Sequence, residues 1–195
     1  MEEKLNKLYL ECINELKTIG IDMLNKEKMG EIKISISKRN NKRYGCCKQE
    51  KPDEAYKTII KKGRRRIIKF EKFAIHNIEI SPWVLELEDD IIKNTIIHEL
   101  IHCIPFCNNH GEVFKKYAKF INLKLGYNIS RVGNKKEDFE KSNIEYKEEN
   151  YNYKIMCTKC GQEFFRKRLS KNFLRKYRCG KCGARFSVLD INNSK

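Results

Sequence analysis

The chain has 195 residues, with 42 Lys+Arg against 26 Asp+Glu and a formal net charge of +16. That length suits one medium domain plus a small one, and the charge favours an anionic partner, nucleic acid before an anionic membrane. No run of eighteen apolar residues exists and the N-terminal stretch is charged throughout, so neither a membrane span nor a secretory signal is expected. Nine cysteines, four of them in two CxxC pairs, read as metal binding in a reducing cytosol and not as a disulfide framework.

Residues 3–27 place Leu5, Leu8, Cys12, Leu16 and Ile19 at helical spacing, which predicts an amphipathic helix with interruptions near Gly20 and Gly30. Glu31–Ser37 alternates Ile32, Ile34 and Ile36 with polar residues, the pattern of a half-buried strand. Arg39-Asn40-Asn41-Lys42 reads as a turn and Arg43–Cys47 as a return strand. Gly45 within it marks a close backbone approach. Cys46 and Cys47 are expected as small buried thiols. Pro52 and the run Lys61-Lys62-Gly63-Arg64-Arg65-Arg66 fit either a hairpin turn that touches phosphates or a solvated loop. Ile67–Phe70 and Phe73–Ile80 are the next strands, and His76 is expected at the surface. Ser81-Pro82 ends the second of them, and Trp83–Leu87 leads into a helix.

Asp89-Asp90 suits the start of that helix, where carboxylates meet the positive end of the dipole. Ile91, Ile92, Thr95, Ile96, Leu100 and Cys103 form its buried faces, with Asn94 expected toward solvent. The helix carries His98-Glu99-Leu100-Ile101-His102. Two His four apart lie on one helical face and can grip one Zn²⁺ at ~2.0–2.1 Å. Glu99 beside the first ligand can act as general base on the attacking water. A catalytic zinc needs a third protein ligand and one open position. His110 is the natural third, because Pro105 ends the helix and Asn108-Asn109 supply a turn. Glu112 is the weaker alternative. Pro105 and Asn108 stand where a metzincin needs Gly and His, which excludes that class. Cys107 lies between the second and third His and, if it reached the fourth position, would close the site; an ordinary free thiol is the other reading. Val113, Phe114, Tyr117, Phe120 and Ile121 continue as a second amphipathic helix with Gly126 as its cap.

Residues 133–152 lack apolar periodicity and mix both charge signs, so a linker is predicted there. Residues 153–195 then carry Cys157-Thr158-Lys159-Cys160-Gly161 and Cys179-Gly180-Lys181-Cys182-Gly183, with eighteen residues between the pairs. That spacing is a strong zinc-ribbon signal, and four thiolates make its zinc structural. Lys154–Arg185 holds 11 Lys+Arg and one acid, Glu163. Arg166, Lys167, Arg168, Lys171, Arg175, Lys176 and Arg178, interleaved with Phe164, Phe165, Phe173 and Tyr177, suit phosphate contact with base stacking. The aromatics equally suit the small core of the ribbon.

The stretch HELIHCIPFCNNHGEVF resembles the metal-binding core of the SprT-like family, whose HExxH, short connection and HGxxF are matched by His98, Glu99, His102, His110, Gly111 and Phe114. The resemblance covers residues 1–132. It implies an α+β, zincin-like metallopeptidase domain with helices on a small antiparallel or mixed sheet, and a zinc ribbon often follows such a domain. It also implies proteolysis of proteins bound or crosslinked to DNA. The expectation is a cytoplasmic enzyme, nucleoid-associated if bacterial, with one catalytic and one structural zinc. Its partners are DNA, single-stranded or duplex, and DNA-bound proteins, with no membrane. The rival class is a non-catalytic zinc- and DNA-binding regulatory protein, against which the intact Glu99 argues.

Overall fold

The computed structural model describes residues 1–39, 42–146 and 150–191. Asn40-Asn41 of the expected turn, residues 147–149 of the expected linker and the last four residues of the ribbon lie outside them. The chain forms two compact units, Met1–Tyr146 and Lys147–Lys195. Both helices and sheets are present, so the α+β expectation holds. No described helix is long and apolar enough to cross a membrane.

Helix α1 (Glu2–Thr18) buries Leu5, Leu8, Cys12, Ile13 and Leu16 along one stripe. It is shorter than the expected 3–27 because Gly20 takes a left-handed φ of 85°, which reverses the chain. A one-turn helix α2 (Lys26–Met29) follows, capped by the Asn25 side chain. The sheet that carries the site is built from β1 (Glu31–Ile36), β2 (Gly45–Pro52) and, after an intervening hairpin, a strand at Phe73–Ile80. The hairpin strands are β3 (Lys57–Lys62) and β4 (Arg65–Phe70), making Phe73–Ile80 β5.

The strand order is β1-β5-β2, with β1 parallel and β2 antiparallel to β5. Where the sequence predicts Arg43–Cys47 to return against β1, β5 inserts between the two. A turn signal shows that the chain reverses, not which strand it then pairs with. β2 is consequently an edge strand, and Cys46 and Cys47 are partly buried, with Cys47 packed against the core. His76 departs further from expectation: it is 2% exposed. Burial alternates along β5, so His76 shares the inner face with Ile78 and Ile80. The β3–β4 hairpin stands apart as a two-stranded ribbon with Ile59, Ile60, Ile67 and Ile68 exposed.

Helix α3 (Asp89–Ile101) is buried over most of its surface from Ile91 onward, with Lys93, Asn94 and His98 partly exposed. Ile92, Ile96, Ile97 and Leu100 have no exposed surface. It packs on α1, on β2 and β5, and on α4 (Glu112–Leu125). Lys93 on α3 ties it to α1 through Glu11 at 2.7 Å and Glu15 at 3.1 Å. Helix α4 buries Phe114, Ala118 and Ile121 and ends at Gly126, which is left-handed as its cap position requires.

Part of the stretch expected as linker is ordered on the first unit. Helix α5 (Lys135–Lys141) stacks Phe139 on Trp83 with ring centroids 5.5 Å apart, and Tyr44 hydrogen-bonds Asp138. One aromatic in a charged heptad leaves no periodic signal, which is why composition alone reads this segment as a linker.

The second unit is a three-stranded antiparallel sheet, β7-β6-β8, from β6 (Tyr153–Cys157), β7 (Glu163–Arg166) and β8 (Phe186–Asp190). A one-turn helix α6 (Phe173–Lys176) lies in the connection between β7 and β8.

Candidate metal centre

Helix α3 places His98 and His102 one turn apart, and His102 keeps helical dihedrals as the C-cap residue. The turn through Pro105 and Asn109 brings His110 back onto the same face. The three rings converge: His110 Nε2 lies 2.9 Å from His98 Nε2 and 3.2 Å from His102 Nε2. Each outward nitrogen of the helical pair meets a backbone carbonyl. His98 Nδ1 is 3.0 Å from the Ser130 oxygen, and His102 Nδ1 is 2.7 Å from the Cys107 oxygen. A carbonyl accepts only, so both rings carry their proton on Nδ1 and turn the Nε2 lone pair inward. Burial lowers the pKa of all three, with the neighbouring imidazoles adding to it for His98, which falls to about 4. Neutral imidazoles aimed at one point are a metal donor set.

The spacing fits a tetrahedral ion, since two nitrogens each ~2.1 Å from one centre lie ~3.4 Å apart. Cys107 contributes its carbonyl to His102 and is not grouped with the three His as a ligand. Glu112 points elsewhere and pairs with Lys115 at 3.0 Å.

Glu99 is 6% exposed. Burial pushes its carboxyl up to about 8, with the nearby Cys47 adding to the rise; the Cys47 backbone N–H and the Arg43 charge act against it. Gly45 at the start of β2 passes directly over this carboxylate. A Cβ there would sit 2.8 Å from Glu99 Oε1 and 2.9 Å from its Cγ. Gly45→Ala is therefore expected to displace the carboxylate while sparing the three imidazoles. A misplacement of about 1 Å costs roughly 100-fold in a positioned reaction. Activity measured beside metal content tests this, and an alanine variant with full activity would show that the approach is not tight.

These groups line a cleft of about 1110 Å³ between the start of β2, helix α3, the segment Asn128–Asn134 and α5. Arg43, Arg131, Lys135 and Lys141 lie around it with Asp90, Glu137 and Asp138. A cleft of that size lies at the upper end of what small-molecule pockets span.

A family model described as the SprT-like family matches residues 12–133, which include all three His and Glu99. The chain belongs to the SprT-like family. Two proteins named "Protein SprT-like", from two strains of Staphylococcus epidermidis, are each 32% identical to it over 119 residues, covering 58% of this chain and 69% of theirs. A third of that name, from Oceanobacillus iheyensis, is 32% identical over 106 residues, covering 54% of this chain and 63% of its own. The ribbon lies outside the stretch that the family model matches.

Within the SprT-like unit, several positioning groups carry no motif. Ser130 fixes His98 from 32 positions away. The segment that holds Ser130 is itself clamped. Asn122 on α4 accepts from Ile129 N at 2.8 Å and donates to its oxygen at 3.1 Å. Asn94, expected toward solvent, accepts from Asn128 N at 2.8 Å. Nothing local to an Asn announces a partner so distant in sequence.

In the ribbon, Cys157, Cys160, Cys179 and Cys182 form one cluster that can hold a metal ion. Cys157 and Cys182 sulfurs are 3.4 Å apart, and Cys160 and Cys179 sulfurs 3.6 Å. Sulfurs ~2.3 Å from one tetrahedral ion lie ~3.8 Å apart, so four thiolates fit one closed centre. The two knuckles repeat one hydrogen-bond pattern, Gly161 N to Cys157 O and Gly183 N to Cys179 O, with both glycines left-handed. Arg166, Lys167, Arg168, Lys171, Arg175, Lys176 and Arg178 are all exposed. Arg178 is partly committed, donating to the carbonyls of Leu174, Arg175 and Tyr177.

Proposed function

We propose that the chain is a zinc-dependent metalloendopeptidase that acts on proteins bound or crosslinked to DNA. The carrying observation is the convergence of three neutral imidazoles beside a buried carboxylate at the wall of the cleft. In this reading His98, His102 and His110 hold the zinc. Zinc bound there supplies a Lewis acid that polarises the scissile carbonyl and acidifies the attacking water to a pKa of about 7. The Glu99 carboxylate takes the proton from that water as it attacks, and delivers it to the leaving amine nitrogen. Burial holds the Glu99 carboxyl above the usual carboxylate range, which makes its carboxylate a stronger proton acceptor than that of an exposed glutamate. The Gly45 approach and the Cys47 N–H keep it in place.

Edge strand β2 is the strand that takes the substrate. Its Gly45, Cys46 and Cys47 line the cleft while its far side pairs with β5. An extended peptide adding to that edge presents its backbone to Glu99 and the imidazoles. In the ribbon a second zinc on the four cysteines holds the fold, and the basic surface addresses the chain to DNA.

A chelator tests the metal dependence. Removing metal is expected to abolish cleavage of an unstructured protein substrate, and added Zn²⁺ to restore it. Cleavage that persists in metal-free protein would contradict the reading.

A further inference from the structure

A second group of donors lies at the wall of the cleft, separate from the three histidines and from the ribbon. Cys47 of β2, His76 of β5 and Cys103 just after α3 each bring one ligand atom within 4.8 Å of the others. Cys47 Sγ is 3.8 Å from Cys103 Sγ and 3.7 Å from His76 Nδ1. Around one tetrahedral zinc, two sulfurs lie ~3.8 Å apart and a sulfur and an imidazole nitrogen ~3.6 Å apart. A disulfide would need ~2.05 Å. These two spacings match coordination at least as closely as those of the four ribbon cysteines do, and His76 and Cys103 lie within 4.8 Å of each other.

His76 supplies an independent reason. Its ring is 2% exposed, and among the described residues Nε2 has no hydrogen-bond partner. A buried imidazole with an unsatisfied nitrogen costs stability, whereas an aliphatic residue at that place would join Ile78 and Ile80 without penalty. A ligand role through Nδ1, the nitrogen that faces Cys47, accounts for an imidazole at this place, while Nε2 stays without a partner among the described residues either way. Two thiols and one imidazole form a soft donor set, selective for thiophilic d10 cations. The three donors come from two strands and the end of a helix, so the fold assembles them and no local motif does.

We propose that Cys47, His76 and Cys103 form a third metal site, which binds Zn²⁺ or Cu⁺ and pins edge strand β2 and strand β5 to the end of the histidine helix. Loading releases the thiol protons to solvent, since thiolates are the ligands. Cys103 follows His102 directly, so the site fixes the helix end from which the second histidine projects. The proposal does not rest on the peptidase reading.

The test counts metal per chain in full-length protein stripped of metal, reloaded with excess Zn²⁺ or Cu⁺ in separate arms, and desalted. Wild type, Cys47→Ala and His98→Ala are compared. Wild type is expected to retain one ion more than Cys47→Ala in at least one arm. His98→Ala reports on the other centre: if that centre failed to bind, His98→Ala would match wild type while the Cys47→Ala difference stayed. A second measurement needs no variant. The alkylation rate of Cys47 in wild type, read by mass spectrometry, is expected to fall on the order of tenfold or more on loading, because a coordinated thiolate is withdrawn from reaction. Equal metal content for wild type and Cys47→Ala in both arms, with Cys47 alkylation unchanged by loading, overturns the site.

Discussion

Glu99→Gln is expected to abolish hydrolysis while leaving the metal content of the protein unchanged. Glutamine preserves the shape that fits beneath Gly45 and can still meet the Cys47 N–H through its carbonyl oxygen. What it loses is the basic lone pair that takes a proton. General acid–base groups contribute roughly 10² to 10⁴-fold, and one residue that serves both proton transfers falls at the upper end. The three Nε2 atoms do not depend on Glu99, because the Ser130 and Cys107 carbonyls orient two of the rings. Metal analysis and turnover measured on one preparation separate the possibilities. Loss of metal would make Glu99 a ligand, and full activity would remove it from the mechanism.

The second large effect concerns the ribbon. Neutralising Arg166, Lys167, Arg168, Lys171, Arg175 and Lys176 to Gln in the full-length chain is expected to remove most of its DNA affinity and to flatten its salt dependence. Each phosphate deprived of its cation lowers the slope of log affinity against log salt by ~0.9 on duplex and ~0.7 on single strands. The structure divides the aromatics that accompany these charges. Phe164, Phe173 and Phe186 pack against one another, with centroids 5.3 to 6.4 Å apart, as the ribbon's small core. Phe165 and Tyr177 remain 45% and 53% exposed, Tyr177 with one face stacked on Phe173, and their outer faces are the ones offered for base stacking. Arg178 is expected to contribute less than the other six, because its guanidinium already caps the turn around α6. Unchanged affinity and slope in the neutralised chain would move the DNA site elsewhere, with the exposed basic hairpin β3–β4 the next place to look.

Much of this arrangement is legible without coordinates. The helical spacing of Leu5, Leu8, Cys12 and Leu16 and the alternation of Ile32, Ile34 and Ile36 each follow from a single element's own period. The same holds for His98 and His102, whose shared face needs only 3.6 residues per turn. Gly45 reads as a close approach of backbone, whereas the structure puts the Glu99 side chain there. The limits are set by distance along the chain. The insertion of β5 between β1 and β2 depends on pairing across more than forty residues of sequence. Ser130 reaches His98 through a segment shaped by Asn94 and Asn122, and amide side chains of that kind look alike in solvent and in a clamp. The burial of His76 is within reach of the sequence, since Ile78 and Ile80 give the inner face of its strand, but the general rarity of buried lone histidines points the other way.

The most direct test of the central claim is cleavage of a DNA-binding protein by the zinc-loaded full-length chain, with DNA present and absent, beside the Glu99→Gln variant. Cleavage that DNA accelerates is expected from the wild type, and none from the variant in either condition. A fully metal-loaded, folded wild-type chain that cleaves nothing, or that cleaves at one rate with and without DNA, would contradict the claim.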